Sequence, residues 1–216
     1  MGVGYNLCII KPNKTLFSET FIQEHINRLA GNKKVIYGGA FPLYDHEGRF
    51  LIQSKLDLAV YFFQKRVLKR KAIRVRTLAL RNYLRREKID IVFAEYGMVG
   101  ALVTEACKLA GVPLVIHFHG ADAHHIETVN KYMAFYPQSF LYASGIIAVS
   151  KDMIAKLQLM GVDAGKIAYI PCGVDTSSFV QIELNAETQN FISVGRFVGK
   201  KSPLSVVKAF QKVLSS

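Results

Sequence analysis

The chain has 216 residues, half of them hydrophobic, and a formal net charge of +12; it can bury a large core, yet no apolar run approaches the roughly 18 residues of a membrane-spanning helix. Met1 to Pro12 lacks a basic leader region and a small-residue cleavage site, which argues against a signal peptide. Cys8, Cys107 and Cys172 are far apart, set in apolar stretches and without a C-x-x-C pair, which predicts buried free thiols in a reducing compartment and argues against structural zinc.

Asn6 to Lys11 reads as a buried strand, broken by Pro12-Asn13-Lys14. Ser18-Glu19-Thr20 then has the side chains of a helix start, and Thr20 with Gln23 has capping-box spacing. Phe21, Ile22, Ile26 and Leu29 form the apolar stripe of a helix ending at Gly31-Asn32, and Lys34 to Tyr37 is a second strand, completing a βαβ unit. Ala40 to Arg49 is a loop. A helical region follows from Phe50 to Arg86, broken near Arg70 to Ala72. Ile52, Leu56, Ala59, Val60, Phe63 and Val67 share one face of its first half. Ile73, Thr77, Leu80 and Leu84 share one face of the second half, with Arg74, Arg81 and Arg85 on a different side.

Ile89 to Glu95 is a strand, Gly97 to Ala110 a helix and Val112 to Phe118 a strand whose apolar run ends abruptly in His117-Phe118-His119-Gly120-Ala121-Asp122. A buried parallel strand that delivers polar groups at its carboxyl edge marks the place where open α/β sheets bind ligands. Thr128 to Leu141 is helical with an interruption at Pro137, and Gly145 to Val149 is another strand. Ser150 caps the next helix, with Asp152 in its first turn, and Lys166 to Ile170 is a strand closed by Pro171-Cys172-Gly173. This alternation predicts an α/β fold with a Rossmann-like, doubly wound parallel sheet. Thr176 to Gln189 reads as a linker, Phe191 to Val194 as a new strand and Leu204 to Leu214 as a helix started by Pro203. One strand and one helix do not bury a core. The expected organisation is therefore a Rossmann-like domain over 1–175, a linker over 176–189 and an incomplete second domain over 190–216.

The excess charge is local. Between Lys65 and Lys88 lie eleven basic residues and a single acid, Glu87. A solvated helix face is the plain reading. An anionic membrane surface is the sharper one, with Lys65, Arg66, Lys69, Arg70, Arg74, Arg81 and Arg85 as its contacts. No nucleic-acid partner is expected, because no DNA- or RNA-binding motif accompanies the charge. His117, His119, Asp122, His124 and His125 contain an H-x-H that could ligate zinc, but no metal site is expected; His117 is assigned to the other face of its strand or to the core.

Three ordered stretches carry a family resemblance. They are His119-Gly120-x-Asp122; Ala148-Val149-Ser150 through Gly161-Val162 to Ile170-Pro171-Cys172-Gly173-Val174-Asp175 and Phe179; and Val194-Gly195-Arg196-Phe197-Val198-x-x-Lys201. Together they resemble the group 1 (family 4) retaining glycosyltransferases, whose two Rossmann-like domains face a cleft. Ser18-Glu19-Thr20-Phe21-Ile22 is similar to a subgroup that builds bacterial surface polysaccharides such as lipopolysaccharide, capsule or exopolysaccharide.

The resemblance implies a nucleotide-sugar donor, a saccharide or lipid-linked acceptor, no further cofactor, and a cytoplasmic location on the inner face of the plasma membrane. His119 would reach the transferred sugar, with Asp122 orienting its loop; Arg196 and Lys201 would hold the donor diphosphate. Ser18, Glu19 and Thr20 would form the acceptor or phosphate loop, and Gly120, Tyr96 and Ser150 would line the cleft. Two departures stand out. The family's spaced glutamate pair has no counterpart, since no acid follows Glu187, and Ser202 stands where Gly is usual. The chain as written is therefore expected not to transfer sugar by itself. A non-catalytic Rossmann-like binding module is the alternative.

Overall fold

Leu7 to Ile10 and Val92 to Ala94 are apolar at every position, and both runs are buried on both faces in the middle of one sheet. The computed structural model describes residues 4–15, 19–70, 72–178, 191–195 and 197–214. Ser18, Lys71, Phe179, Arg196 and the linker from 179 onward lie outside the described residues.

The strands are β1 (Asn6–Lys11), β2 (Asn32–Tyr37), β3 (Tyr44–Asp45), β4 (Ile91–Glu95), β5 (Leu114–Phe118), β6 (Gly145–Ala148) and β7 (Ile167–Tyr169). They form one seven-stranded sheet in the order β3-β2-β1-β4-β5-β6-β7. Every pairing is parallel except that of β3 with β2. The helices are α1 (Thr20–Arg28), α2 (Lys55–Arg66), α3 (Arg74–Arg86), α4 (Gly97–Ala110), α5 (Ala121–His124), α6 (Ile126–Tyr132), α7 (Tyr136–Tyr142), α8 (Lys151–Leu159) and α9 (Pro203–Leu214). This is the Rossmann-like, doubly wound α/β fold that the alternation predicts. Strand order reverses direction between β1 and β4, so the carboxyl edge there opens into a crevice.

Strand alternation sorts the core. Cys8, Ile10, Val92, Ala94, Leu114, Ile116 and Phe118 face the larger cluster, which contains buried residues of α3, α4 and α7. Leu7, Ile9, Phe93 and Val115 face the smaller cluster, with Ile26 of α1 and Leu29 just after that helix. α4 lies close on β5 because Gly97 and Gly100 leave room: a Cβ at Gly97 would stand 2.1 Å from the Phe118 ring, and one at Gly100 would stand 2.7 Å from Ile116.

Several local expectations change in the fold. The 40–49 loop contains β3. It is held by buried Asp45, which accepts from the Arg49 and Glu47 backbone N–H groups and from Arg49 Nε at 2.8 Å. The Thr20–Gln23 capping box does not form, because Thr20 is already helical; Glu19 is the cap residue and Gln23 donates instead to Asn27. α2 starts at Lys55, where Ser54 Oγ accepts from the Asp57 N–H, so the break between the two basic helices runs from Val67 to Ile73.

The α2 stripe is turned outward. Leu56, Phe63 and Val67 are 75%, 56% and 63% exposed, while Tyr61 is the buried residue of that helix, which packs beside α3. The 128–141 helix is divided into α6 and α7, with Pro137 in the first turn of α7, where its missing N–H costs nothing. Cys8 and Cys107 are buried, and burial pushes the Cys107 thiol up to about 12, but Cys172 is exposed beyond the last strand.

The chain divides into two compact units, residues 1–173 and 174–216. In the second, Phe191 to Val194 is not a strand; Phe191, Ile192 and Val194 are exposed, and the Phe191 ring lies 5.4 Å from that of Phe210 between centroids. Gly199–Lys201 is a single 3₁₀ turn that precedes α9. Ser202 joins them at φ +46°, a left-handed conformation that glycine adopts at less cost, and its hydroxyl donates to the Gly199 carbonyl.

Candidate functional site

Residue parity on the sheet builds the site. Glu95 shares a face with Phe93, and His117 shares a face with Val115, so both project toward α1 at the crevice between β1 and β4. His119 is two residues further on and falls on the same side. His117 therefore does not point to the opposite face but is buried in the protein, as the second part of its expectation has it, with its ring centroid 4.1 Å from that of His119.

Glu95 is fully buried, and three imidazoles surround its carboxylate. His25 Nδ1 of α1 lies 2.7 Å from Oε1, and His119 Nε2 lies 2.8 Å from Oε2. His117 Nδ1 is 3.6 Å from Oε2, too far for a hydrogen bond, and both of its ring nitrogens are buried without a partner. Burial alone would raise the Glu95 pKa, but the surrounding imidazoles hold it well below the usual carboxylate range. The ionised carboxylate only accepts, so His25 Nδ1 and His119 Nε2 carry protons and donate to it. In the tautomer with its proton on Nε2, His119 keeps its lone pair on Nδ1, which is buried and without a hydrogen-bond partner. Burial holds His117 below the ordinary imidazole range, in its neutral form.

The surrounding loops are tied to this cluster. Tyr96, at φ +78°, is a strained residue between β4 and α4. Its Oη donates to Glu19 Oε1 at 2.9 Å, and Asn13 Nδ2 donates to the same carboxylate. Burial, reinforced by the Glu19 contact, pushes the Tyr96 phenol far up, so it stays a donor. The His119 ring is only 4% exposed, enclosed by Phe21 at 4.4 Å and Tyr96 at 4.8 Å between centroids.

Asp122 is turned into the protein. Its carboxylate accepts from the Gly97 N–H at 2.7 Å and from the His119 N–H at 3.0 Å, joining the start of α4 to the loop after β5. Gly120 turns that loop at φ +112°, which a side chain would strain. Thr20 and Glu19 line an open concavity of about 410 Å³ with Lys11 and Lys14.

Comparison with known proteins adds a second line of evidence. The model of glycosyltransferase family 4 matches residues 36–178, well over half of the chain. The chain belongs to glycosyltransferase family 4. Among the proteins it resembles, an Escherichia coli UDP-Gal:alpha-D-GlcNAc-diphosphoundecaprenol alpha-1,3-galactosyltransferase is 26% identical over 157 residues, which are 64% of this chain and 40% of the relative. The colanic acid biosynthesis glycosyltransferase WcaL of Escherichia coli K12, named as putative, is 27% identical over 130 residues, 58% of this chain and 32% of WcaL. The structure of Anabaena HepE in complex with UDP-glucose superposes with a TM-score of 0.55 at 14% identity, covering 96% of this chain and 49% of HepE. At that identity the match speaks for the fold. The chain spans less than half the length of the curated relatives it matches.

The fold brings His119, Gly120, Asp122, Tyr96, Glu19 and Thr20 of this family 4 chain to one sheet edge. Ser150 is not joined to them; its Oγ caps α8 by accepting from the Met153 N–H. Lys201 is exposed in the second unit. The suspected zinc ligands scatter, for His124 bonds to Asp152, His125 to Thr128 and Asp122 to backbone. His25, Glu95 and His117 offer one ligand atom each within 4.8 Å of one another, a set that could hold a metal ion only by displacing the His25–Glu95 hydrogen bond. The sequence reading missed Glu95, His25 and Lys11. Glu95 had a legible signal: like His119, it is a polar residue that ends an apolar strand at the carboxyl edge.

The basic segment is divided. Lys65, Arg66, Lys69, Arg70, Arg74 and Arg85 are exposed and Arg81 is half-buried; Arg81 donates to Asn82 and Arg85 to the Leu109 carbonyl. Among the described residues, no helix is long and apolar enough to cross a membrane.

Proposed function

We propose that this chain is the acceptor-side half of a retaining glycosyltransferase, one that moves a sugar from a nucleotide sugar to a saccharide or lipid-linked acceptor in surface polysaccharide synthesis. The observation that carries the reading is the Glu95–His119 pair at the switch point of a family 4 fold, where a ligand would enter. The activities for which the Escherichia coli relatives are named support the reaction class, and the UDP-glucose complex of HepE supports the donor class.

In this reading His119 Nδ1 accepts a hydrogen bond from a hydroxyl of the transferred sugar, and displacement of Phe21 uncovers the ring. Asp122 sets the His119 loop through backbone bonds and does not touch the sugar. Arg196 and Lys201 neutralise the leaving diphosphate as the glycosidic bond breaks. The nucleotide sugar is a substrate, and the reaction uses no further cofactor or metal ion. The enzyme works at the inner face of the plasma membrane. The exposed Leu56, Phe63 and Val67, flanked by Lys65, Arg66, Lys69 and Arg70, support attachment to an anionic surface.

Deletion of the gene from its host tests the reading. Linkage analysis of the surface polysaccharide should lose one sugar whose anomeric configuration equals that of its donor. An unchanged polysaccharide contradicts the function, and loss of an oppositely configured linkage contradicts retention. The expectation that these 216 residues do not transfer sugar unaided rests on the resemblance, and an assay of the purified chain measures it directly.

A further inference from the structure

The hydrogen bonds around Glu95 leave three polar atoms over. Both ring nitrogens of His117 and Nδ1 of His119 are buried without a hydrogen-bond partner. The proposed reaction uses His119 Nδ1 and gives His117 no task. A buried polar group without a partner costs stability, so a ligand that uses the His117 lone pair is favoured.

His25, Glu95 and His117 offer one ligand atom each, all within 4.8 Å of one another. His117 Nδ1 stands 3.6 Å from Glu95 Oε2. That is close to the separation of about 3.4 Å between two ligand atoms of a tetrahedral ion with bonds of about 2.1 Å. His25 Nδ1 is 2.7 Å from Oε1, so this pair has to open by roughly 0.7 Å. The His25 side chain is 23% exposed, so it has more room to turn than the two buried partners. The Phe93 ring lies 5.6 Å from that of His25 and 5.7 Å from that of His117 between centroids, an apolar wall against both. Among the described residues, the ion-pair partners of Glu95 are all imidazoles. Neutral rings bring hydrogen bonds but no charge, whereas a divalent cation compensates the buried carboxylate directly.

We propose that His25, Glu95 and His117 bind one divalent transition-metal ion of the zinc type. Two imidazoles and a carboxylate suit zinc or cobalt; magnesium prefers oxygen ligands alone. Glu95 binds as an anion and His117 through the lone pair of Nδ1. His25 moves its proton from Nδ1 to Nε2, so it too coordinates as a neutral ring and no proton is released. An ionised carboxylate has about four lone-pair sites, so His119 keeps its hydrogen bond to Oε2 and supports the ligand from outside. The site does not rest on the proposed function, in which the ion is no reactant.

Calorimetric titration of the tag-free, chelator-treated chain with zinc, cobalt(II) and magnesium chlorides tests this without any transfer reaction. Zinc and cobalt should each bind as one equivalent, and magnesium should not bind. His25→Ala, at a partly exposed helix position, should keep the parent's circular dichroism and weaken zinc binding by about 100-fold or more, beyond the loss of an outer-shell partner. Nitrogen-15 NMR of the parent's histidine rings should show zinc shifting the His117 signals. Cys172→Ser and His124→Gln remove an exposed thiol and the His124–Asp152 pair, and each should leave zinc binding unchanged. Absence of zinc binding, equal binding of magnesium, parent affinity in His25→Ala or an unmoved His117 signal overturns the site. Loss of binding in Cys172→Ser or His124→Gln assigns the ion to the surface and overturns it as well.

Discussion

Glu95 Oε2 stands 2.8 Å from His119 Nε2, and both side chains are almost completely buried. A carboxylate that can only accept dictates which ring nitrogen of its histidine carries the proton. The state of the residue that resembles the family's sugar contact is thus set by a neighbour on the adjacent strand.

Glu95→Gln should loosen that control. An amide can accept through oxygen or donate through nitrogen, so His119 loses its single preferred tautomer. Nitrogen-15 NMR of the histidine rings should give one Nε2–H form in the parent at neutral pH and a mixture in the variant. The variant should also lose about 1–3 kcal/mol in urea denaturation, the usual cost of impairing a buried charge-assisted hydrogen bond. An unchanged His119 spectrum would disconnect the two residues.

His117 should make stability depend on pH. Its folded pKa lies below the unfolded value near 6.5, so its stabilising contribution is complete above about pH 6.5 and is lost as pH falls toward the folded value. The Glu95 carboxyl is also depressed, but its contribution is lost only below the ordinary carboxylate range, at lower pH. Wild-type stability should therefore decline as pH falls below about 6.5, and His117→Leu should flatten that decline. Parallel curves for the two proteins count against a neutral buried His117.

Close packing of α4 on β5 makes Gly97 irreplaceable by even a methyl group. Gly97→Ala places a Cβ 2.1 Å from the Phe118 ring and should cost about 1–3 kcal/mol or more in thermal unfolding. Gly145→Ala is the control, since nothing lies within 4 Å of its added Cβ. Equal effects of the two substitutions would contradict the packing described.

The outward stripe of α2 should act at a membrane. Leu56→Ser with Phe63→Ser touches exposed positions, so the melting temperature should hardly change. Co-sedimentation with anionic vesicles should fall severalfold, and neutral vesicles should bind neither protein. Equal pelleting with anionic and neutral vesicles removes the membrane reading.

Much of the scaffold is local and therefore legible. β1 spans Asn6–Lys11 and α4 spans Gly97–Ala110, as their apolar patterns require, because hydrophobic period and flanking Gly or Pro act within a few residues. Ser150 is recognisable as a cap for the same reason. β3 escapes such reading, since two residues have no period and Asp45 holds them through a turn. The α2 stripe shows periodicity without direction, because a pattern gives a face and only the neighbouring elements decide whether it is covered.

The amino-acid sequence by itself determined the alternation of strands and helices, the clustering of cations between Lys65 and Lys88, and the His119-Gly120-x-Asp122 strand end. These depend on neighbours along the chain. Tertiary structure alone decided that His25 meets Glu95 across 70 residues and that His119 meets it across 24. Those contacts follow from β4 lying between β1 and β5, a strand order that directs three carboxyl ends and the helix after β1 toward one point. A buried charge is tolerated only where such an arrangement supplies its partners, and no local pattern in the chain specifies that arrangement.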